Sequence, residues 1–417
     1  MTVSKIKSAL ILVLIVSETF FSFSVNAQQL TTKQLLGQLN TVTTAVPFLL
    51  ITPDARAGAM GDAGVATSPD VNSMHWNPSK YGFIDKQMGV SMSVTPWLRE
   101  LVPDINLYNL TGFYKLPKNV GTVAASLNYF SLGDITFTDV VGNTIGQFRP
   151  NEFSFDVGFA KKLGDHFSGG GALRFIHSNL TGNITVENAQ THAGNSVAGD
   201  ISGYYQSSEK EIGGKKSIIR FGVLISNMGA KISYSSTGQK DFIPINLKLG
   251  PSLHMQLDEF NELNFTVDAN KLLVPTPPIY KDSAGIPLKD SQGNYIIWKG
   301  MDPNVGIVSG MLQSFYDAPG GYREELNEIT LGGGMEYWYA KQFALRAGYF
   351  NEANTKGGRK YFTFGLGVRW TVFTLDFSYL VPDHVRNPLQ NTLRFTLLFN
   401  FDAPKNTANT VGSDPKK

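Results

Sequence analysis

Apolar and polar positions alternate with a period of two through the second half of the chain. From Tyr361 to Trp370, the apolar Phe362, Phe364, Leu366, Val368 and Trp370 are interleaved with Thr363, Gly365, Gly367 and Arg369. Phe373, Leu375, Phe377 and Tyr379 alternate with Thr374, Asp376 and Ser378, and the last segment sets Leu393, Phe395, Leu397, Phe399 and Phe401 against Arg394, Thr396, Leu398 and Asn400. Successive side chains of a strand point to opposite faces, so each segment has one apolar and one polar face. A soluble sandwich shares that period. Two features favour a membrane barrel. The apolar face is rich in aromatics and Leu over about ten residues, the length a tilted strand needs to cross a bilayer. The polar face carries Gly, Arg, Asp and Glu, as a water-facing lumen would.

Fourteen such segments can be marked, near 87–95, 105–116, 121–130, 152–162, 167–179, 197–207, 217–227, 244–257, 260–270, 328–339, 342–350, 359–370, 372–381 and 391–401. The sixth has the weakest pattern. Bacterial barrels join their strands by short periplasmic turns and longer outer loops. Connections after even segments are short here, while those after odd ones include 131–151, 180–196, 228–243, 271–327 and 382–390. Dropping the sixth segment would put the longest loops on the periplasmic side, so parity supports it. The expected fold is an all-β membrane protein, a fourteen-stranded antiparallel outer-membrane barrel spanning 87–401 with both termini periplasmic.

The remaining segments are read separately. Lys5, Lys7, the apolar run Ala9–Val16 and Val25-Asn26-Ala27 form the pattern of a secretory signal over 1–27. An anchor needs about 20 apolar residues, and Glu18 interrupts that length. Residues 28–86 are dense in small side chains, suited to packing inside a lumen as a plug, or else to a periplasmic arm. The outer loop 271–327 begins Pro275-Thr276-Pro277-Pro278 and has a helical spacing from Val305 to Phe315 that puts Val305, Val308, Leu312 and Phe315 on one face. A loop of that length is functional or disordered. Residues 402–417 read as a disordered tail.

Composition narrows the function classes. Cysteine is absent, which excludes disulfides and thiolate chemistry. A net charge of +2 argues against nucleic acid as partner. Mean hydropathy is near zero at −0.09, as expected where apolar residues alternate with polar ones. No nucleophile-elbow, zinc-protease or phosphate-loop motif occurs, and neither cofactor nor metal is expected. His384 with Asp383, and His177, fall near the outer rim, where a lipid hydrolase would need a Ser–His pair. Charges on the polar face are Arg174, Arg220, Glu262, Asp268, Glu336, Arg346, Arg369, Asp376 and Arg394. They read as a ladder tying plug to wall, or alternatively as a permeation path. Tyr337, Tyr339, Tyr349, Trp370 and Tyr379 read as interfacial girdle residues.

These residues carry a family resemblance. Pro53-Asp54-Ala55-Arg56-Ala57-Gly58-Ala59-Met60-Gly61-Asp62-Ala63-Gly64, then His75-Trp76-Asn77-Pro78, Ser226-Asn227-Met228-Gly229, Pro319-Gly320-Gly321-Tyr322-Arg323 and Asn391-Thr392-Leu393-Arg394-Phe395 closely resemble the PorV family, outer-membrane components of type IX secretion in Bacteroidetes. The small-residue opening alone is shared with the wider fatty-acid-transporter family. The resemblance implies a fourteen-stranded barrel of that type with an N-terminal plug, and a non-enzymatic role. It also implies three partners: the large translocon barrel, the C-terminal signal domains of cargo proteins, and a surface attachment complex with a sortase-like peptidase. Outer-membrane lipids surround the wall. The outer loop is expected to bind the protein partner, through Pro275, Pro277, Tyr280, Phe315, Tyr316 and Tyr322. The competing readings are a channel for hydrophobic small molecules and an envelope lipid (lipopolysaccharide) deacylase.

Overall fold

Why the alternating segments form strands is visible in what each face meets. The structure, a computed structural model, describes residues 39–402 except 100, 101, 103, 139, 140, 143, 183, 184, 187, 188, 236–239, 284, 285 and 385–387. The signal segment 1–27, most of the arm before residue 39 and the tail after 402 lie outside the described residues. Along β12 (Lys360–Trp370), Tyr361, Thr363, Gly365 and Gly367 are buried while Phe362, Phe364, Leu366 and Val368 are exposed. β14 (Leu393–Phe401) buries Arg394 and Thr396 and exposes Phe395 and Phe399. Apolar residues outside and polar ones inside invert a soluble core. Such a surface is stable only against an apolar solvent, which is the bilayer.

Twelve further strands complete the ring: β1 (Met88–Pro96), β2 (Ile105–Lys115), β3 (Thr122–Leu132), β4 (Asn151–Lys162), β5 (Phe167–Asn179), β6 (Gly194–Gln206), β7 (Lys215–Gly229), β8 (Asn246–Gln256), β9 (Asn261–Leu272), β10 (Thr330–Tyr339), β11 (Phe343–Asn351) and β13 (Phe373–Pro382). Each pairs antiparallel with its neighbour in sequence, and β14 closes the barrel on β1, Met88 facing Phe401 and Val94 facing Phe395. All fourteen expected segments are strands, with no end displaced by more than three residues. The weak sixth is a 13-residue strand paired on both sides, with a register shift between Gly199 and Ile201. A short strand at Lys210–Ile212 pairs with the start of β7 and stays outside the ring.

Short connections gather at one end and long ones at the other. The β10–β11 turn places Ala340 and Lys341 at positive φ (51° and 58°), the mirror-image turn whose twist suits a tight hairpin. At the long-loop end an apolar cluster forms around Val46, Phe48, Leu49, Ile105, Leu107, Phe130, Ile176, Ile232, Ile243 and Leu273.

The segment ahead of β1 runs the length of the barrel. Asn40 donates its backbone N–H to Thr355 in the long β11–β12 connection, and Ala45 donates to Phe242 in the β7–β8 connection. Further along, Tyr81 O accepts from Thr122 at the start of β3, and Gln87 N donates to Phe401 O. Strand parity places the start of β1 and the end of β14 at the short-turn end, where Lys86 pairs with Asp402 at 2.7 Å. It does not constrain the segment before β1. Asn40 itself lies among the long loops.

Candidate functional site

The barrel interior is built around two very short helices, α1 (Ala55–Gly58) and α2 (Ser73–Trp76). Asp54 caps α1 by accepting from Ala57 N at 3.0 Å, and its second oxygen accepts from Trp76 Nε1 at 2.6 Å. The wall answers each exposed backbone group. Ala55 N donates to Thr396 Oγ1 at 2.9 Å, Gly61 N to Thr363 Oγ1 at 2.9 Å, and Gly64 and Val65 N both donate to Asp268 Oδ2, at 2.7 and 2.8 Å. Glycines let the backbones touch. A Cβ on Gly348 would lie 2.2 Å from Gly61 N, and one on Gly332 would lie 2.2 Å from Gly61 O. An interior cavity beside Arg56, Met60, Thr67 and Glu336 measures about 10 Å³, enough for about one water.

The lumen charges are placed as follows. Arg346 donates to Glu336 at 2.8 Å and Asp376 at 2.7 Å, and Arg56 from α1 joins them through Glu336 at 2.8 Å and Asp70 at 2.8 Å. Arg174 binds Asp156 at 2.5 Å and Asp200 at 3.2 Å, and also donates to Asn227. Arg394 reaches Asp62 at 3.6 Å. Three expected members sit apart from these clusters. Arg220 donates to the neutral Gln206 at 3.0 Å, Arg369 lies over the Trp338 ring at 4.3 Å, and Glu262 meets Lys341 at the short-turn end at 3.4 Å. Sequence reading missed Arg56, Asp156 and Asp200. The latter two stand at inward parity on β4 and β6, a signal that was available; Arg56 gave none, since no period governs its segment.

The long connection 273–329 is ordered by a charged clasp. Lys271 Nζ donates to Glu325 at 3.0 Å and Glu328 at 2.6 Å, and Lys356 Nζ donates to Glu324 at 2.6 Å and Glu328 at 2.9 Å. Asn40 Nδ2 bridges Pro277 O and Glu324 Oε1, both at 3.0 Å. Thr276 N donates to Asp317 Oδ2 at 3.0 Å. Burial, with Glu325 and Glu328 nearby, pushes the Asp317 carboxyl up to about 6, while hydrogen bonds from Thr276 oppose the rise. The Lys356 ammonium holds Glu324 below its ordinary range despite partial burial.

Two helices ride on this clasp, α3 (Ile307–Gln313), shorter than the expected 305–315, and α4 (Tyr322–Asn327). Gly310 and Gln313 face inward, Gly310 against Phe242. Val308 and Leu312 therefore point outward, 70% and 63% exposed, followed by Phe315, Tyr316 and Tyr322 at 49%, 64% and 75%. Of the expected apolar face, Val308, Leu312 and Phe315 are turned to the outside, Val305 is half-buried ahead of the helix, and Ile307 and Met311 pack inward on the apolar cluster. Of the six residues expected to form the binding surface, Phe315, Tyr316 and Tyr322 are open. Pro275 is buried beneath Gly310, Pro277 is tied to Asn40, and Tyr280 stacks obliquely on Tyr295 at 5.4 Å. The two prolines anchor the loop, because a proline-rich entry packs as a rigid stem, while Tyr280 packs within the loop itself.

At the outer rim, His177 Nδ1 meets Asn195 Oδ1 at 2.8 Å, Ser178 donates to Glu152 at 2.6 Å, and His384 lies 3.6 Å from Asp383. Among the described residues no histidine nitrogen is hydrogen-bonded to a serine hydroxyl.

Comparison with known proteins decides the family. The family model described as type IX secretion system protein PorV matches residues 34–279, more than half of the chain. The chain belongs to the PorV family. No curated protein matches it. Among solved structures, the Ralstonia pickettii toluene transporter TbuX matches at 12% identity and a TM-score of 0.44, covering 84% of this chain and 98% of that one. The Pseudomonas putida toluene transporter TodX matches at 10% identity and a TM-score of 0.45, covering 88% and 100%, and a Pseudomonas aeruginosa FadL homologue at 11% and 0.42, covering 87% and 99%. This PorV-family barrel is thus an outer-membrane protein of type IX secretion.

Proposed function

We propose that this PorV-family barrel is a non-enzymatic cargo carrier. It binds secreted proteins by their C-terminal signal domain at the large translocon barrel and delivers them to the surface attachment complex with its sortase-like peptidase. One observation carries the reading: a helix on a long outer loop held by a buried clasp packs Ile307 and Met311 on the apolar cluster beneath it and still leaves Val308 and Leu312, followed by Phe315, Tyr316 and Tyr322, exposed. Exposed apolar surface in excess of what packing uses marks an interaction site. The residues that bear the contact are Val308, Leu312, Phe315, Tyr316 and Tyr322.

The packed interior supports a carrier over a conduit for hydrophobic small molecules. A segment hydrogen-bonded to the wall at β9, β12 and β14 acts as a plug, and an apolar cluster packs above it at the long-loop end. The clustered charges then serve to lock plug to wall. A decisive experiment replaces Leu312, Tyr316 and Tyr322 by Asp. The barrel is expected to fold and resist heat in detergent as before, while co-purification of cargo signal domains falls at least tenfold. Undiminished co-purification and normal surface attachment would sink the proposal.

A further inference from the structure

A concavity of about 660 Å³ lies on the lipid-facing wall of β1–β4. Strand register builds it. Val90 faces Gly112, Gly112 faces Ala125, and Ala125 faces Val157, which makes one row of small side chains across four neighbouring strands. The next row toward the short-turn end holds Tyr114 and Phe159, and the row toward the long-loop end holds Leu127 and Phe155. Those larger side chains stand as walls over a floor of glycine and alanine. The volume falls within the roughly 300–1,000 Å³ of ligand sites, and the outward side chains that line it are apolar.

An apolar groove in a bilayer accepts any chain; the charge beside it selects the headgroup. Lys161 follows Phe159 by two residues on the same outward face. Lys118 occupies the adjoining β2–β3 turn, and both are exposed, whereas Lys162, on the opposite face of the strand, lays its ammonium over the Phe83 ring at 4.9 Å. Among the described residues neither Lys118 nor Lys161 forms an ion pair, while Lys86 at the same end is matched to Asp402. The exposed acids nearby in sequence are Asp85, ahead of β1, and Asp165, in the β4–β5 turn. Clustered lysines at a membrane surface attract anionic lipid.

We propose that this groove is a binding site for an anionic phospholipid, with an acyl chain over Gly112 and Ala125 and the phosphate between Lys118 and Lys161. The full-length barrel in mild detergent is mixed with phosphatidylglycerol or with phosphatidylcholine of the same chains, and retained lipid is counted by native mass spectrometry. Wild type is expected to keep one phosphatidylglycerol and at least fivefold less phosphatidylcholine. Gly112→Phe with Ala125→Phe fills the groove from the lipid side and should abolish retention of both. Lys118→Gln and Lys161→Gln together leave the wall untouched, and should erase the preference between the two lipids. This second variant decides the matter even if the filled one fails to fold. Unselective or absent retention by wild type, or a lysine variant that keeps the preference, overturns the proposal. So does a dimer or a co-purified barrel that is lost on filling, since the groove would then be a protein interface.

Discussion

Gly348 has no room for a methyl group. Its ideal Cβ position lies 2.2 Å from Gly61 N and 2.3 Å from the Met60 carbonyl carbon, both backbone atoms that no rotamer change can move. Overpacking of this kind costs about 1–3 kcal/mol. Gly348→Ala should therefore lower the unfolding free energy in detergent by that amount, read by urea titration of the heat-modifiable band. Gly203→Ala is the control, because a Cβ there meets Val223 at an ordinary 3.4 Å and should change stability little. The buried charges make a second case. Glu336 is wholly buried between Arg56 and Arg346. Glu336→Gln leaves two guanidiniums short of their counter-charge, and breaking such a buried pair costs about 3–5 kcal/mol. The same titration checks it, and no loss of stability would refute the lock. At this scale, the alternation told which charges face inward but not which meet. Glu336 and Arg346 face each other on the neighbouring strands β10 and β11, whereas Arg346 reaches Asp376 on β13 across β12, over Gly367. Their fourth partner, Arg56, arrives from an aperiodic segment, and only tertiary packing reveals it.

Among elements, the N-terminal run from Asn40 to Ile51 is a strap across the long loops. Phe48 is buried and stacks on Phe130 at 6.2 Å, within the cluster that includes Ile232, Ile243 and Leu273 from other connections. Phe48→Ala should loosen those connections while the strands hold. The measurement is limited proteolysis of 273–329 in folded barrel, with cleavage expected to accelerate at least tenfold. The clasp beneath α3 should respond to pH. The Asp317 carboxyl titrates near 6 in the folded loop, above its ordinary value of 3.8. A carboxyl raised on folding favours the folded loop when protonated, so anchoring should tighten as pH falls from 7.5 through 6. Hydrogen exchange at 275–277 and 317–328 should slow over that interval, and Asp317→Asn should be slow at both pH values. Below about 4.5 the direction reverses, because Glu324 is held low by Lys356 and loses that stabilisation on protonation. The helix itself was legible as a 3.6-residue spacing at Val305, Val308, Leu312 and Phe315. Its outward orientation was not, since spacing defines a face without saying what the face meets.

For the molecule as a whole, period and parity constrained one another. Alternation alone left the sixth segment doubtful; alternating loop lengths required it, and β6 pairs along its length with β5 and β7. The path of the chain before β1 lay beyond both signals. Absence of cysteine allows the orientation to be mapped directly. Tyr322→Cys should react with a membrane-impermeant maleimide on intact cells, and Lys118→Cys should react only after the outer membrane is permeabilised. Equal reactivity of the two would reject the assignment of long loops to the outside. The segment running from Asn40 among those loops to Gln87 at the opposite rim has a consequence for biogenesis. A closed ring cannot be threaded afterwards by a stretch that bonds to its wall at so many points. The last seam, β14 on β1, must therefore shut around a thread already in place, like a clasp bracelet around a wrist. A barrel assembled without that stretch should not be repaired by supplying it as a separate peptide.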